Sequence, residues 1–202
     1  QGWMLGAYLS GFRNDVWSLL FAAGIALTLP AAYALLGAGW LIMKTEGALQ
    51  AKAVRWGRQV FWWVVLALGA ISLATPLVSE TVFNKWFSLP ALFALLPIPL
   101  TCVGALFAVR HVLLRPGLVA AGHGWVVFGA TVTVFVLAFF GLAYSLYPYI
   151  VIDRLNVWEA ASATESLVVL HLGVSITQPA LVAYPVFLYR RFWGKAPPLH
   201  NG

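Results

Sequence analysis

Apolar residues run along this chain in long unbroken blocks instead of alternating with polar ones, and the blocks set the architecture before any single residue is considered. Five are long enough to cross a bilayer, at about 17–43, 59–79, 88–109, 123–149 and 164–189, because about 20 mostly apolar residues cover a ~30 Å hydrocarbon layer as a helix. A shorter block at 1–12 precedes them. No block shows the period of two that a membrane strand imposes. A helix satisfies its backbone polar groups within its own segment, so every block is predicted to be a helix. The expected fold is all-α, a polytopic transmembrane helical bundle with five full spans and one partial N-terminal helix, forming a single membrane domain over 1–202. The chain opens without an initiator methionine, on an apolar stretch too short to span, and is expected to be a fragment that begins inside a helix.

Composition supports the same class. The sequence is 62% hydrophobic and 9% charged, with a mean hydropathy of +0.88, far from the range of soluble domains. The net charge of +6 would suit nucleic acid, but the basic residues form no patch interleaved with aromatics, so no nucleic-acid partner is expected. They carry orientation instead. Lys44, Lys52, Arg55, Arg58, Arg110, Arg115, Arg190, Arg191 and Lys195 fall at one set of block ends, and Arg13, Lys85 and Arg154 at the other. The imbalance of nine to three predicts that the first set, with the C-terminus, is cytoplasmic. Trp17, Trp40, Trp56, Trp62, Trp86, Trp125, Trp158 and Trp193 lie near block ends, where an amphipathic ring prefers the headgroup region.

Inside the blocks, Pro30, Pro76, Pro97, Pro99, Pro179 and Pro185 predict kinks that neighbouring groups tolerate. The single cysteine, Cys102, allows no internal disulfide. Gly2 and Gly6 form one GxxxG, a hint of close helix packing.

The polar residues of the last block attract more interest. His171, Ser175 and Gln178, spaced i, i+4, i+7, share one helix face and form an intramembrane polar stripe. The stripe either marks a site or bonds to a facing helix. A bis-histidine haem needs two imidazoles at matching depth, which His111, His123, His171 and His200 do not offer, and no cluster has metal-ligand spacing. Motifs for hydrolysis or phosphate binding are absent. A stand-alone cytochrome using His123 and His171, or a fragment of a secondary transporter with a site on the last helix, remain the competing readings.

Two stretches carry more information. GAGWLIMKTEGALQ at 37–50 resembles the motif of subunit II of the cytochrome bd-type quinol (ubiquinol) oxidases: Gly37, Ala38, Trp40, Leu41, Met43, Lys44, Thr45, Gly47 and Leu49 fit it in order. YPYIVI followed by WEAASATESL resembles the family's Pro-containing helix end and Trp-acid-Ala-x-Ser motif, through Tyr147, Pro148, Trp158, Glu159, Ala160, Ser162 and Leu167. Glu159 stands where many members have Asp. The tail QPALVAYPVFLYRRFWGK is similar to the family's final helix and its basic exit.

The resemblance covers about residues 1–195 and corresponds to the C-terminal part of the family's subunit. It implies a respiratory-chain complex of the bacterial inner membrane that oxidises quinol and reduces oxygen to water. In that complex this chain would ligate no cofactor and hold no catalytic residue. Haems b and d would sit in subunit I, which this chain would stabilise, and its surface would meet the lipid bilayer and a bound quinone or lipid. The acids associated with proton delivery would lie outside this part of the subunit. Lys44, Thr45, Gly47, Trp158, Glu159 and Ser162 are then motif residues with structural roles. Trp158, Glu159 and Ser162 are expected to cap the outer end of the last helix, with Ser162 or Thr164 as N-cap and Glu165 favouring the helix start.

Overall fold

In the computed structural model the described residues are 1–78, 80–89, 91–151, 155–192 and 194. Arg154, Trp193, Lys195 and His200, named above, lie outside them. Helices account for most of the described residues: α1 (Gly2–Leu9), α2 (Val16–Lys44), α3 (Gly47–Val78), α4 (Glu80–Phe87), α5 (Ala91–Leu95), α6 (Pro97–Leu114), α7 (Pro116–Leu118), α8 (Trp125–Leu146) and α9 (Thr164–Arg191). Among the described residues, five stretches are long and apolar enough to cross a membrane, Val16–Lys44, Gly47–Ala74, Ala91–Leu114, Trp125–Leu146 and Thr164–Arg191.

The starts of α2 and α6 have local causes. Asp15 opens α2 as N-cap, accepting from the Ser18 backbone N–H at 3.2 Å and the Ser18 hydroxyl at 2.8 Å. Those hydrogen bonds, the side-chain one first, hold the Asp15 carboxyl below its ordinary pKa. Pro97 opens α6 at a position where its missing N–H costs nothing, so the third span is built from α5 and α6. Pro30, Pro179 and Pro185 lie inside continuous helices. Two residues before Pro30 and Pro179, Thr28 and Thr177 donate to the carbonyls of Gly24 and Gly173 at 2.8 and 2.9 Å.

The third span runs to Leu114, about a turn beyond the expected 109, and two further regions differ from the sequence reading. The second span was expected from about 59, with 44–58 as a connector, yet α3 starts at Gly47. The reason is amphipathicity: Ala53, Val54 and Gly57 are buried while Lys52, Arg55 and Arg58 are exposed, so these turns are helical and basic together. Trp56 consequently lies well inside a helix. The connector after α8 also contains a small antiparallel pair, β1 (Tyr149–Val151) and β2 (Leu155–Asn156), outside any span.

The core lies where α2, α3, α6 and α8 converge, around Leu35, Ile42, Phe61, Val109, Leu113 and Val127. Small residues permit the approach. A Cβ on Gly39 would come within 3.0 Å of the Phe128 backbone, and one on Gly6 within 2.4 Å of the Ala22 Cα. Gly2 meets Ala26 in the same way, so the GxxxG does mark a close contact between α1 and α2.

Candidate functional site

The residues 37–50 form a junction of three helices. Thr45 terminates α2: its backbone N–H and its hydroxyl both donate to the Leu41 carbonyl, at 2.9 and 2.7 Å. Gly47, with φ +66, lets the chain re-enter a helix after the two non-helical residues Thr45 and Glu46. Gln50 then reaches back, its amide donating to the carbonyls of Ile42 at 3.0 Å and Thr45 at 2.9 Å. Those carbonyls belong to a helix end that lacks intrahelical partners, so Gln50 supplies what the turn leaves open.

Lys44 connects this junction to the far end of the chain. Its Nζ donates to the carbonyls of Phe192 at 3.3 Å and Gly194 at 3.0 Å, at the C-terminal end of α9, where a cation also complements the helix dipole. The same ammonium lies 5.2 Å from the centre of the Trp40 ring. Trp40 in turn meets Phe128 and Tyr189 edge-on, each at 5.3 Å between centroids. Trp40 and Lys44, one turn apart, therefore hold α2, α8 and α9 together at one level.

The outer connector is organised by a reciprocal pair. The Glu159 carboxylate accepts from the Asn156 backbone N–H at 3.1 Å, and the Asn156 side chain accepts from the Glu159 N–H at 2.8 Å. The Trp158 ring lies 6.2 Å from Tyr147, whose carbonyl accepts from Lys85 Nζ, and the Val157 N–H donates to the Pro148 carbonyl at 2.8 Å. Below it the Trp86 indole N–H donates to the Ser145 hydroxyl at 2.8 Å. The connector thus folds back onto α4 and α8.

The expected cap of α9 is not formed. Ala163 occupies the N-cap and no side chain bonds there, Thr164 is already the first helical residue, and Ser162 is exposed in the preceding coil. A hydroxyl caps only from the position just outside the helix, which neither residue holds. Glu165 does lie in the first turn. Glu159 acts on its own connector, not on the helix.

His171, Ser175 and Gln178 lie on one face of α9, and all three are exposed, without a hydrogen bond among the described residues. No residue of α9 is buried. Among its apolar side chains, Leu170, Ile176, Leu181 and Phe187 are each 60% exposed or more.

The described histidines are spread over different elements. His111 is in the last turn of α6 with its ring against Phe107, His123 is exposed between α6 and α8, and His171 belongs to the opposite half of α9. Among the described residues no three His, Cys, Asp or Glu side chains come together as a metal site.

Gln50, Asn156 and the Trp86–Ser145 pair were not singled out by sequence. A Gln three residues beyond Gly47 and an Asn three residues before Glu159 are the only local signals, and each needs the turn geometry to give it meaning. One protein-family model, described as cytochrome bd terminal oxidase subunit II, matches residues 1–192. No curated protein matches the chain.

Proposed function

Since the chain belongs to the cytochrome bd terminal oxidase subunit II family, and so is part of a quinol:oxygen oxidoreductase, we propose that its own task is to complete and stabilise the haem-bearing subunit I without ligating haem. Membership implies partnership with subunit I, and the chain is a multi-pass membrane protein of the respiratory oxidase family. The observation that carries the proposal is α9. It is apolar enough to span, yet nothing in the described chain covers it along its length, and it is fixed to the helical body through Lys44 and Trp40 at one end. In a bilayer, packing of apolar and small side chains, with a few hydrogen bonds, drives association between helices. Electrons would then pass through the partner, while this chain supplies shape and a scaffold.

The distribution of cations supports an orientation with the C-terminus on the cytoplasmic side of the bacterial inner membrane. The exposed apolar side chains of α9 would also suit contact with a quinone or lipid tail. Family membership takes the place of the transporter reading, and the prolines of α2 and α9 leave their helices continuous.

The test is purification of the complete oxidase through a tag on this subunit. A larger haem-bearing membrane subunit is expected to co-purify, with the haem spectrum following that subunit when the two are separated. Recovery of this chain as a stable monomer with its own haem, or as one that moves a solute, would overturn the proposal.

A further inference from the structure

Two arginines and a tryptophan meet where α3 and α6 come together at the basic end of the bundle. Arg58 and Trp62 are one turn apart on α3, and Arg110 and Leu113 are one turn apart on α6. Arg58 Nε donates to the Leu113 carbonyl at 2.6 Å, and the Arg110 guanidinium lies 4.8 Å from the centre of the Trp62 ring. Leu113 packs 3.1 Å from the Cβ position of Gly57, so the helices are close enough for both cations to share one seam.

Neither guanidinium has an ion pair among the described residues, and each carries more donors than its contact uses. Arg55 and Arg115 reinforce the positive field at the same end. Glu46, the described acid of that end, lies in the α2–α3 turn and has a contact of its own.

The surface changes character with depth. From Arg58, α3 presents Trp62 and then Leu66, which are 53% and 62% exposed. From Arg110, α6 presents Phe107 and then Val103, which are 68% and 66% exposed. The inward neighbours Phe61, Val64, Val109 and Val112 belong to the core, so these outer side chains stand on the exposed sides of the two helices that meet at the seam. Cations come first, an amphipathic ring next, and aliphatic and aromatic surface after it. That order matches an amphiphile with an anionic head.

We propose that the seam binds an anionic phospholipid of the leaflet at the basic end, its phosphodiester between Arg58 and Arg110 and its chains along Trp62, Leu66, Phe107 and Val103. Planar guanidinium groups suit phosphate oxygens, and a basic recess between spanning helices selects a headgroup of net negative charge. A zwitterionic lipid brings an ammonium that these cations repel.

The test uses the complete oxidase complex in detergent, stripped of lipid and then exposed to phosphatidylglycerol, phosphatidylcholine or inorganic phosphate, with retained lipid counted by native mass spectrometry. Phosphatidylglycerol should be retained at least about fivefold better than phosphatidylcholine. The double variant Arg58→Gln/Arg110→Gln should lose that preference, and the charge-matched control Lys52→Gln/Arg13→Gln should keep it. Arg110→Gln alone leaves the Arg58–Leu113 contact in place and should still lower retention severalfold, which keeps the test open if the double variant fails to assemble. Equal retention of the two lipids, full displacement by inorganic phosphate, or equal loss in the control pair would each overturn the proposal.

Discussion

Lys44 and Phe192, 148 residues apart in the chain, are joined by a hydrogen bond from the lysine Nζ to the phenylalanine carbonyl at 3.3 Å. Lys44 ends α2 and Phe192 is the C-cap of α9, so the bond ties the final helix to the junction built by residues 37–50. The second acceptor, the Gly194 carbonyl at 3.0 Å, makes the lysine a C-terminal cap in trans.

Replacing Lys44 by Gln should loosen that end of α9. A cation at a helix C-terminus is worth about 0.3–1 kcal/mol when exposed, so docking of the last turn should weaken by up to about fivefold. Faster amide exchange over residues 186–192, with α2 and α8 unchanged, is the expected result. Lys44→Arg keeps the charge and should restore most of the protection. Unchanged exchange in Lys44→Gln would remove the capping role.

The packing of α1 on α2 makes a steric prediction. A side chain at Gly6 would put its Cβ 2.4 Å from the Ala22 Cα, a distance that only a backbone shift can relieve. Gly6→Val should therefore destabilise by about 1–3 kcal/mol, the usual cost of overpacking. Gly24, on the same helix pair, has nothing within 4 Å of its Cβ position, and Gly24→Ala should be neutral or mildly stabilising. Thermal unfolding in detergent separates the two outcomes.

How much of this was legible in the sequence follows from the range of the interactions. The five spans were visible because a bilayer asks for long apolar blocks, and the contact at Gly2 and Gly6 because small residues one turn apart permit little else in such a block. The first turns of α3 were missed because Ala53, Val54 and Gly57 face the core between exposed Lys52, Arg55 and Arg58, and a count of hydropathy averages the two faces. The Lys44–Phe192 bond was out of reach, since nothing local to Lys44 announces α9. Glu159 was identified as structural but given the wrong partner: its acceptor is used three residues back, on Asn156, and the helix it was expected to cap begins at Thr164 with Ala163 before it.

The Asn156–Glu159 pair can be tested by a double-mutant cycle. Each side chain accepts from the other residue's backbone N–H, so Asn156→Ala and Glu159→Ala remove different bonds of one turn. Both residues are at the surface of the connector, and each loss should cost about 0.5–1 kcal/mol, with the double variant costing less than the sum. Glu159→Asp keeps the carboxylate but shortens its reach, and should fall between wild type and Glu159→Ala. Oxidase turnover per assembled complex should not change, since the pair's two hydrogen bonds organise the connector itself.

Asp15 gives the stability of the α2 start a defined pH dependence. The hydrogen bonds from the Ser18 hydroxyl and the Ser18 backbone N–H favour the ionised carboxylate, so its pKa is lower in the folded protein than in the unfolded chain. A depressed carboxylate contributes stability that is fully present above the unfolded value of about 3.9 and fades as pH falls through the folded value. Protonation also removes the anion from the positive end of the α2 dipole. Wild type should therefore lose protection of the first turn of α2 only in acid, below about pH 4. Asp15→Asn keeps an N-cap acceptor while removing the titration, so its protection should be somewhat lower at neutral pH and flat through the acid range. Amide exchange of Ser18 measured across pH, after correction for the intrinsic exchange rate, reports both features. The same acid-dependent loss in wild type and Asp15→Asn would show that another group controls the α2 start.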